Sequence, residues 1–154
     1  MNLKSPQRRQ ALALSAQVGA ALLAAGVLPA RAAWTQSAFD AKTMADAAKA
    51  FGGGAPTESN QVTISGPDIA ENGAVVPVGV STTLPGAKRL LLLVEKNPNV
   101  LAAAFDVNDA VDPSFKTRVK MGQSSNVYAV AMTGDGKAFF AQKEIKVTLG
   151  GCGG

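Results

Sequence analysis

From Gln61 onward the sequence repeats one pattern: a short apolar or alternating run, then a cluster of Gly, Pro, Asn or Asp. Alternation with a period of two places every second side chain on one face of an extended chain, so the repeat favours strands and leaves little room for long helices. Val62 and Ile64 alternate with Thr63 and Ser65 before Gly66-Pro67. Glu71-Asn72-Gly73 predicts a turn, and Asn-Gly is a strong hairpin signal. Val76, Val78 and Val80 alternate with Pro77 and Gly79, and a proline there favours an edge strand or a bulge. Residues 90–94 form a continuous apolar run, as expected of a strand covered on both faces. Asn97-Pro98-Asn99 turns the chain towards another candidate strand over 100–107. Thr117, Val119 and Met121 alternate with Arg118 and Lys120, and the run 127–132 leads into Gly134-Asp135-Gly136, a tight hairpin connection. Residues 139–149 close the series, with Ile145, Val147 and Leu149 on the face expected to enter the core. About seven short strands divided by turn signals predict an all-β fold, an immunoglobulin-like β-sandwich. No paired cysteines mark a disulfide-bearing immunoglobulin domain, and no internal repeat is evident.

One helix is expected ahead of this domain, within residues 33–54. Ser37 is its candidate N-cap, with Asp40 in the first turn. Ala38, Ala41, Ala45 and Ala48 recur at helical spacing, while Phe39, Met44, Ala47 and Phe51 widen the apolar side. Gly52-Gly53-Gly54 terminates the pattern and Pro56 prevents its resumption. A helix this short must dock on something to persist.

Residues 1–32 have the layout of an export signal that is cleaved. Lys4, Arg8 and Arg9 precede an apolar stretch from Ala11 to Leu28, Pro29 breaks it, and Ala30-Arg31-Ala32 supplies small residues at a cleavage site. Arg8-Arg9 is a twin-arginine pair, with Ser5 and Leu12 partly matching its surroundings. The stretch is interrupted by Ser15, Gln17, Gly19 and Gly26, a mildness that suits the route for proteins already folded. A retained membrane anchor is the alternative, since about 18 apolar residues approach the length of a span; the small-residue site favours removal. The expected location is therefore the periplasm. The full chain has 15 Lys and Arg against 11 Asp and Glu. Lys4, Arg8, Arg9 and Arg31 precede the cut, so the mature chain is left with 11 against 11. Without a basic block, nucleic acid is not an expected partner.

About 122 of the 154 residues remain after the cut, enough for one compact domain. They contain one cysteine and no histidine. The usual zinc, copper and haem sites cannot be built from that set. The commonest general base for a nucleophile is missing too. Neither metal nor cofactor is expected, and the chain is not expected to be an enzyme. The spacing of Asp106, Asp109 and Asp112 hints at a cation site but lacks the ligand pattern of a calcium loop, and a solvated turn explains it better.

The last six residues read Leu149-Gly150-Gly151-Cys152-Gly153-Gly154. Gly150, Gly151, Gly153 and Gly154 have no Cβ, so this arm over 150–154 is expected to be flexible until a partner grips it. Its five residues reach at most ~17 Å, thin enough to thread a narrow channel. A free thiol has a pKa of about 8.5, and nothing adjacent in the sequence supplies a positive charge to lower it. Cys152 would then be activated inside a partner's site, the logic of a group carrier. A frayed tail with an incidental cysteine and an intermolecular disulfide are the competing readings.

These residues resemble the SoxY family, the carrier subunits of the bacterial Sox system that oxidises thiosulfate and other reduced sulfur compounds. The resemblance spans the twin-arginine signal, the helix, the segment 66–78 (Gly-Pro-Asp-Ile-Ala-Glu-Asn-Gly-Ala-Val-Val-Pro-Val) and the terminal Gly-Gly-Cys-Gly-Gly. It implies that Cys152 is the site of covalent substrate attachment and residues 150–154 a swinging arm. It implies a heterodimer with SoxZ as an immunoglobulin-like partner. It also implies transient encounters with the haem enzyme SoxXA, the manganese-dependent hydrolase SoxB and, in some organisms, SoxCD. The carrier would be a substrate of each and catalyse none of the steps. Two other classes compete. Ubiquitin-like sulfur carriers also end in Gly-Gly, but they use the terminal carboxylate and work in the cytosol, against the export signal. An exported β-sandwich that merely binds or supports would be indifferent to the loss of residues 150–154.

Overall fold

In a computed structural model residues 35–149 are described, and the expected export signal lies outside them. Two short helices, α1 (Gln36–Phe39) and α2 (Met44–Ala50), precede nine strands. These are β1 (Thr57–Glu58), β2 (Val62–Ser65), β3 (Ile69–Ala70), β4 (Val76–Thr82), β5 (Ala87–Val94), β6 (Leu101–Asp106), β7 (Ser114–Val119), β8 (Ser125–Thr133) and β9 (Ala138–Val147). One sheet runs β1-β9-β8-β5-β6, with β3 also on β9; the other runs β2-β4-β7. The fold is an immunoglobulin-like β-sandwich, as expected.

The core between the sheets is built by the alternation read from the sequence. Val62, Val76, Val78 and Val80 of the smaller sheet meet Leu90, Leu92, Val94, Val127 and Ile145 of the larger. Leu91 and Leu93 point the other way, into a second core with Ala38, Ala47, Ala48 and Val130. The continuous run 90–94 is therefore a strand covered on both faces, by the second sheet on one side and by the helices on the other. The Gly134-Asp135-Gly136 connection is a hairpin: Gly136 has φ +82 and Lys137 O accepts from Thr133 N at 3.0 Å. Lys137 and Thr133 both bond the Asp135 carboxylate, and the Lys137 bond in particular holds it well below the usual carboxylate range.

The single expected helix is two. Ser37 lies inside α1 and caps nothing, and the chain breaks over residues 40–43. Thr43 is the true cap: its side chain accepts from Asp46 N at 3.1 Å and donates to the Asp46 carboxylate at 2.7 Å. A good N-cap in the middle of an alanine-rich stretch stops one helix and starts the next, because its hydroxyl offers the backbone a competing partner. The C-terminus follows expectation. Gly52 has φ +83 and donates to Lys49 O, while Gly53 donates to Ala48 O, a pair of bonds that closes the last turn. Thr43→Ala is expected to cost about 1 kcal/mol in urea unfolding, with Thr43→Ser recovering most of it.

Two turn readings also change. Asn72-Gly73 is not a hairpin: β3 lies on β9 and β4 lies in the other sheet, so the pair carries the chain between sheets. Gly73 has no positive φ, which the expected hairpin turn requires. Pro77 sits in β4, the middle strand of its sheet and not an edge. Pro77 lies beyond the paired part of β2, which ends at Ser65 opposite Gly79, so it has a ladder neighbour only on the β7 side, Arg118.

Candidate functional site at the root of the glycine arm

Strand β9 delivers the chain to Gly150. Its last residues are bonded by the crossover formed by segment 66–78. Lys146 N donates to Asp68 O at 2.9 Å and Thr148 N to Ala70 O at 3.1 Å. The Thr148 hydroxyl donates to Glu71 O at 3.0 Å. Gly73 N donates to Leu149 O at 2.8 Å, and Gly73 O accepts from Met121 N at 2.7 Å. From the opposite edge, Ser124 Oγ accepts from Val147 N at 2.9 Å. These bonds tie two separate parts of the chain, residues 68–73 and Ser124, to the stretch just ahead of the arm, and Met121 holds Gly73 in turn.

The local sequence explains the crossover. A Cβ on Gly66 would lie 3.2 Å from Ile145 Cδ1, so the lack of a side chain lets the chain leave β2 close against the core. Ile69-Ala70 then adds a short parallel strand to β9, with Ile69 opposite Lys146 and Ala70 opposite Val147. Asn72 Oδ1 accepts from Ala74 N at 2.8 Å, a side-chain turn that swings the chain into β4. The Asp68 carboxylate pairs with Lys143 at 2.7 Å, and that ammonium holds it below the usual range.

The final strand was expected to fix Ile145, Val147 and Leu149 in the core. Ile145 is fully buried and Val147 packs against the inter-sheet core, but Leu149 is 70% exposed. The root of the arm is held by backbone bonds and not by a buried leucine. Alternation in sequence continued to Leu149, whereas the second sheet does not extend that far. The sequence-assigned site residues Cys152, Gly150, Gly151, Gly153 and Gly154 lie outside the described residues. Sequence reasoning missed the role of segment 66–78 in holding the root, because it read Asn72-Gly73 as a local turn.

A depression of about 520 Å³ lies away from the root, over Gln61, Leu84, Lys88 and Thr133, and a smaller one of about 320 Å³ borders the crossover at Gly66, Pro67 and Pro77. No group of three or more Cys, Asp or Glu among the described residues is placed to hold a metal. Asp106, of the acidic series considered above, instead pairs with Arg89 at 2.6 Å.

The family model for the sulfur oxidation protein SoxY matches residues 47–152, more than half of the chain. The chain belongs to the SoxY family. Its match includes both segment 66–78 and Cys152. Among solved structures, the sulfur carrier protein SoxY from Chlorobium limicola f thiosulfatophilum is 39% identical, with a TM-score of 0.61. The alignment covers 68% of this chain and 94% of that one. A superoxide reductase (neelaredoxin) variant from Ignicoccus hospitalis is 21% identical with a TM-score of 0.50, over 56% of this chain and 79% of that one. That likeness shows the fold alone. No curated protein sequence matches the chain. Family membership thus links the crossover and the cysteine, which are distant in sequence, as parts of one SoxY domain.

Proposed function

We propose that this SoxY-family chain is a periplasmic sulfur carrier, exported by the twin-arginine route, that holds thiosulfate-derived sulfur covalently on Cys152. The observation that carries the reading is the position of the only thiol, five residues beyond the end of β9, where the chain up to Leu149 is bonded through Asp68, Ala70, Glu71 and Gly73. A thiol on a glycine tether with a fixed root can enter a partner's site while the domain stays outside. The family match through Cys152 and the relative described as a sulfur carrier support the same assignment.

The chemistry belongs to the partners. Coupling the thiol to thiosulfate forms one S–S bond, releases one proton and passes two electrons to an oxidant, the role assigned to the haem enzyme SoxXA. Water then cleaves the terminal S–S bond of the thiosulfonate. Sulfate leaves, and a persulfide stays on Cys152; this is the step assigned to SoxB. SoxCD, where present, would oxidise the remaining sulfane sulfur. The chain is a substrate in each step, paired stably with SoxZ, and needs no cofactor of its own.

Intact mass of the mature protein from thiosulfate-grown cells tests the proposal. A reductant-sensitive addition of sulfur or thiosulfonate mass, mapped to the Cys152 peptide, is expected. An unmodified thiol under turnover with the partner enzymes present would refute it.

A further inference from the structure

The two outer faces of the sandwich differ. Helices α1 and α2 cover the larger sheet, while among the described residues nothing covers the smaller one. Val62, Val76, Val78, Val80 and Val119 point inward from its three strands, so Thr63, Ser65, Pro77, Gly79, Lys116 and Arg118 occupy its outer face. The register sets Lys116 beside Gly79 and Arg118 beside Pro77, and both cations line one depression with Pro77 and Thr117. Lys120 carries the alternation one step further: it is exposed between Val119 and Met121, which both belong to the core between the sheets. With Lys96 it lines a second depression at the end of the strand.

Neither depression has an acidic residue in its wall. None of these four cations is ion-paired with a described residue, whereas Arg89, Lys137 and Lys143 each hold a carboxylate. The chain beyond residue 32 has as many acidic as basic residues, so a strip of one sign along β7 is not the overflow of a basic composition. Like charges spaced ~7 Å along a strand repel one another, and a surface of opposite sign relieves them. The strip also starts at the root of the arm: Met121, next to Lys120, donates to Gly73 O, and Gly73 donates to Leu149 O.

Three residues at ~3.3–3.6 Å each keep the Cys152 Cα within roughly 11 Å of the Leu149 Cα, so an enzyme that takes in Cys152 sits over the root. An interface of ordinary size buries about 800 Å² on each partner and is roughly 30 Å across. From Lys120 to Lys116 the strip runs ~13 Å, so one interface can span root and strip together. We infer that Lys116, Arg118 and Lys120 dock an acidic surface beside the active-site entrance of the enzymes that act on Cys152. The inference rests on the carrier reading. Exposed charges at an interface margin act on encounter and orientation more than on the bound state. The strip therefore guides the root to the entrance and lets it go again, as a carrier that serves several enzymes requires.

The test uses the full mature chain with its heterodimer partner, carrying Lys116→Gln, Arg118→Gln and Lys120→Gln together. Initial rates of sulfate release by the partner hydrolase are measured against concentration of the thiosulfonate-loaded carrier. Salt is set at ~0.01 M and ~0.1 M, where charges are screened over ~30 Å and ~10 Å. For the parent protein kcat/KM is expected to fall about tenfold between the two; the variant starts about tenfold lower at low salt and changes little, with kcat at saturation unaltered. Equal salt dependence in parent and variant overturns the strip, and is the result if these charges only keep foreign strands off the β7 edge. Loss of association with the heterodimer partner overturns it too, by assigning the face to that interface. So do unchanged kinetics with lost binding to anionic phospholipid vesicles, which would make the partner a membrane surface. Cys152→Ser taken through the same loading and assay separates the two ideas: sulfate release that persists without the thiol removes the carrier reading itself.

Discussion

Cys152→Ser is expected to abolish thiosulfate-dependent turnover while leaving urea unfolding unchanged. The substitution replaces one atom in a segment that none of the described core residues depends on: the two cores are closed by residues between Ala38 and Ile145. A serine hydroxyl cannot form an S–S bond, so the loss is complete and not partial. Measuring turnover with reconstituted partners alongside an unfolding curve reads both halves. A carrier working through a terminal Gly-Gly carboxylate would keep its activity in this variant, and a binding module would show no phenotype. Residual turnover above background would therefore point away from the thiol.

The second large effect is expected in the fold. Leu92 is fully buried between the sheets, and Leu91, its neighbour, is fully buried beneath the helices. Truncating either to alanine removes buried apolar volume where close-packed surroundings can relax only in part, at a cost of about 2–5 kcal/mol. Urea unfolding of Leu92→Ala and Leu91→Ala should show losses of similar size. A loss under about 1 kcal/mol for Leu91→Ala would mean that the helices contribute little to a real second core. The helix layer also has polar attachments at its margins. Lys42 Nζ donates to Pro98 O at 2.8 Å, and the Arg89 guanidinium lies 4.4 Å from the centre of the Phe51 ring.

What the sequence made legible depended on whether the deciding interaction was local. The run 90–94 was readable because two-sided burial leaves no polar position in that stretch of β5, and both covering layers exist. The hairpin at Gly134-Asp135-Gly136 was readable because the bonds that close it, between Thr133 and Gly136 or Lys137, join residues four apart or fewer. Strands β1 and β3 were not, since two residues carry no periodicity; each exists only through its parallel pairing with β9. The break at 40–43 turned on one hydroxyl in an alanine-rich stretch where periodicity continues on both sides. Asn72-Gly73 misled for the opposite reason. The dipeptide is a strong local signal, but Gly73 spends its N–H and its carbonyl on Leu149 and Met121, both far away in the chain. The cysteine on its glycine arm was evident at once, whereas the crossover that holds the arm's root emerges only when β3 is seen beside β9.

That root also has a mechanical meaning. In the proposed carrier role, a partner that draws Cys152 into its site would pull on the chain at Leu149. Strand β9 is paired with β8 along one edge and with β1 and β3 at the two ends of the other. For a pull along the strand, these bonds lie across the line of force and share the load in shear, so they resist together and do not unzip one by one. A pull that reaches Leu149 is thus shared between both edges of β9 within the larger sheet.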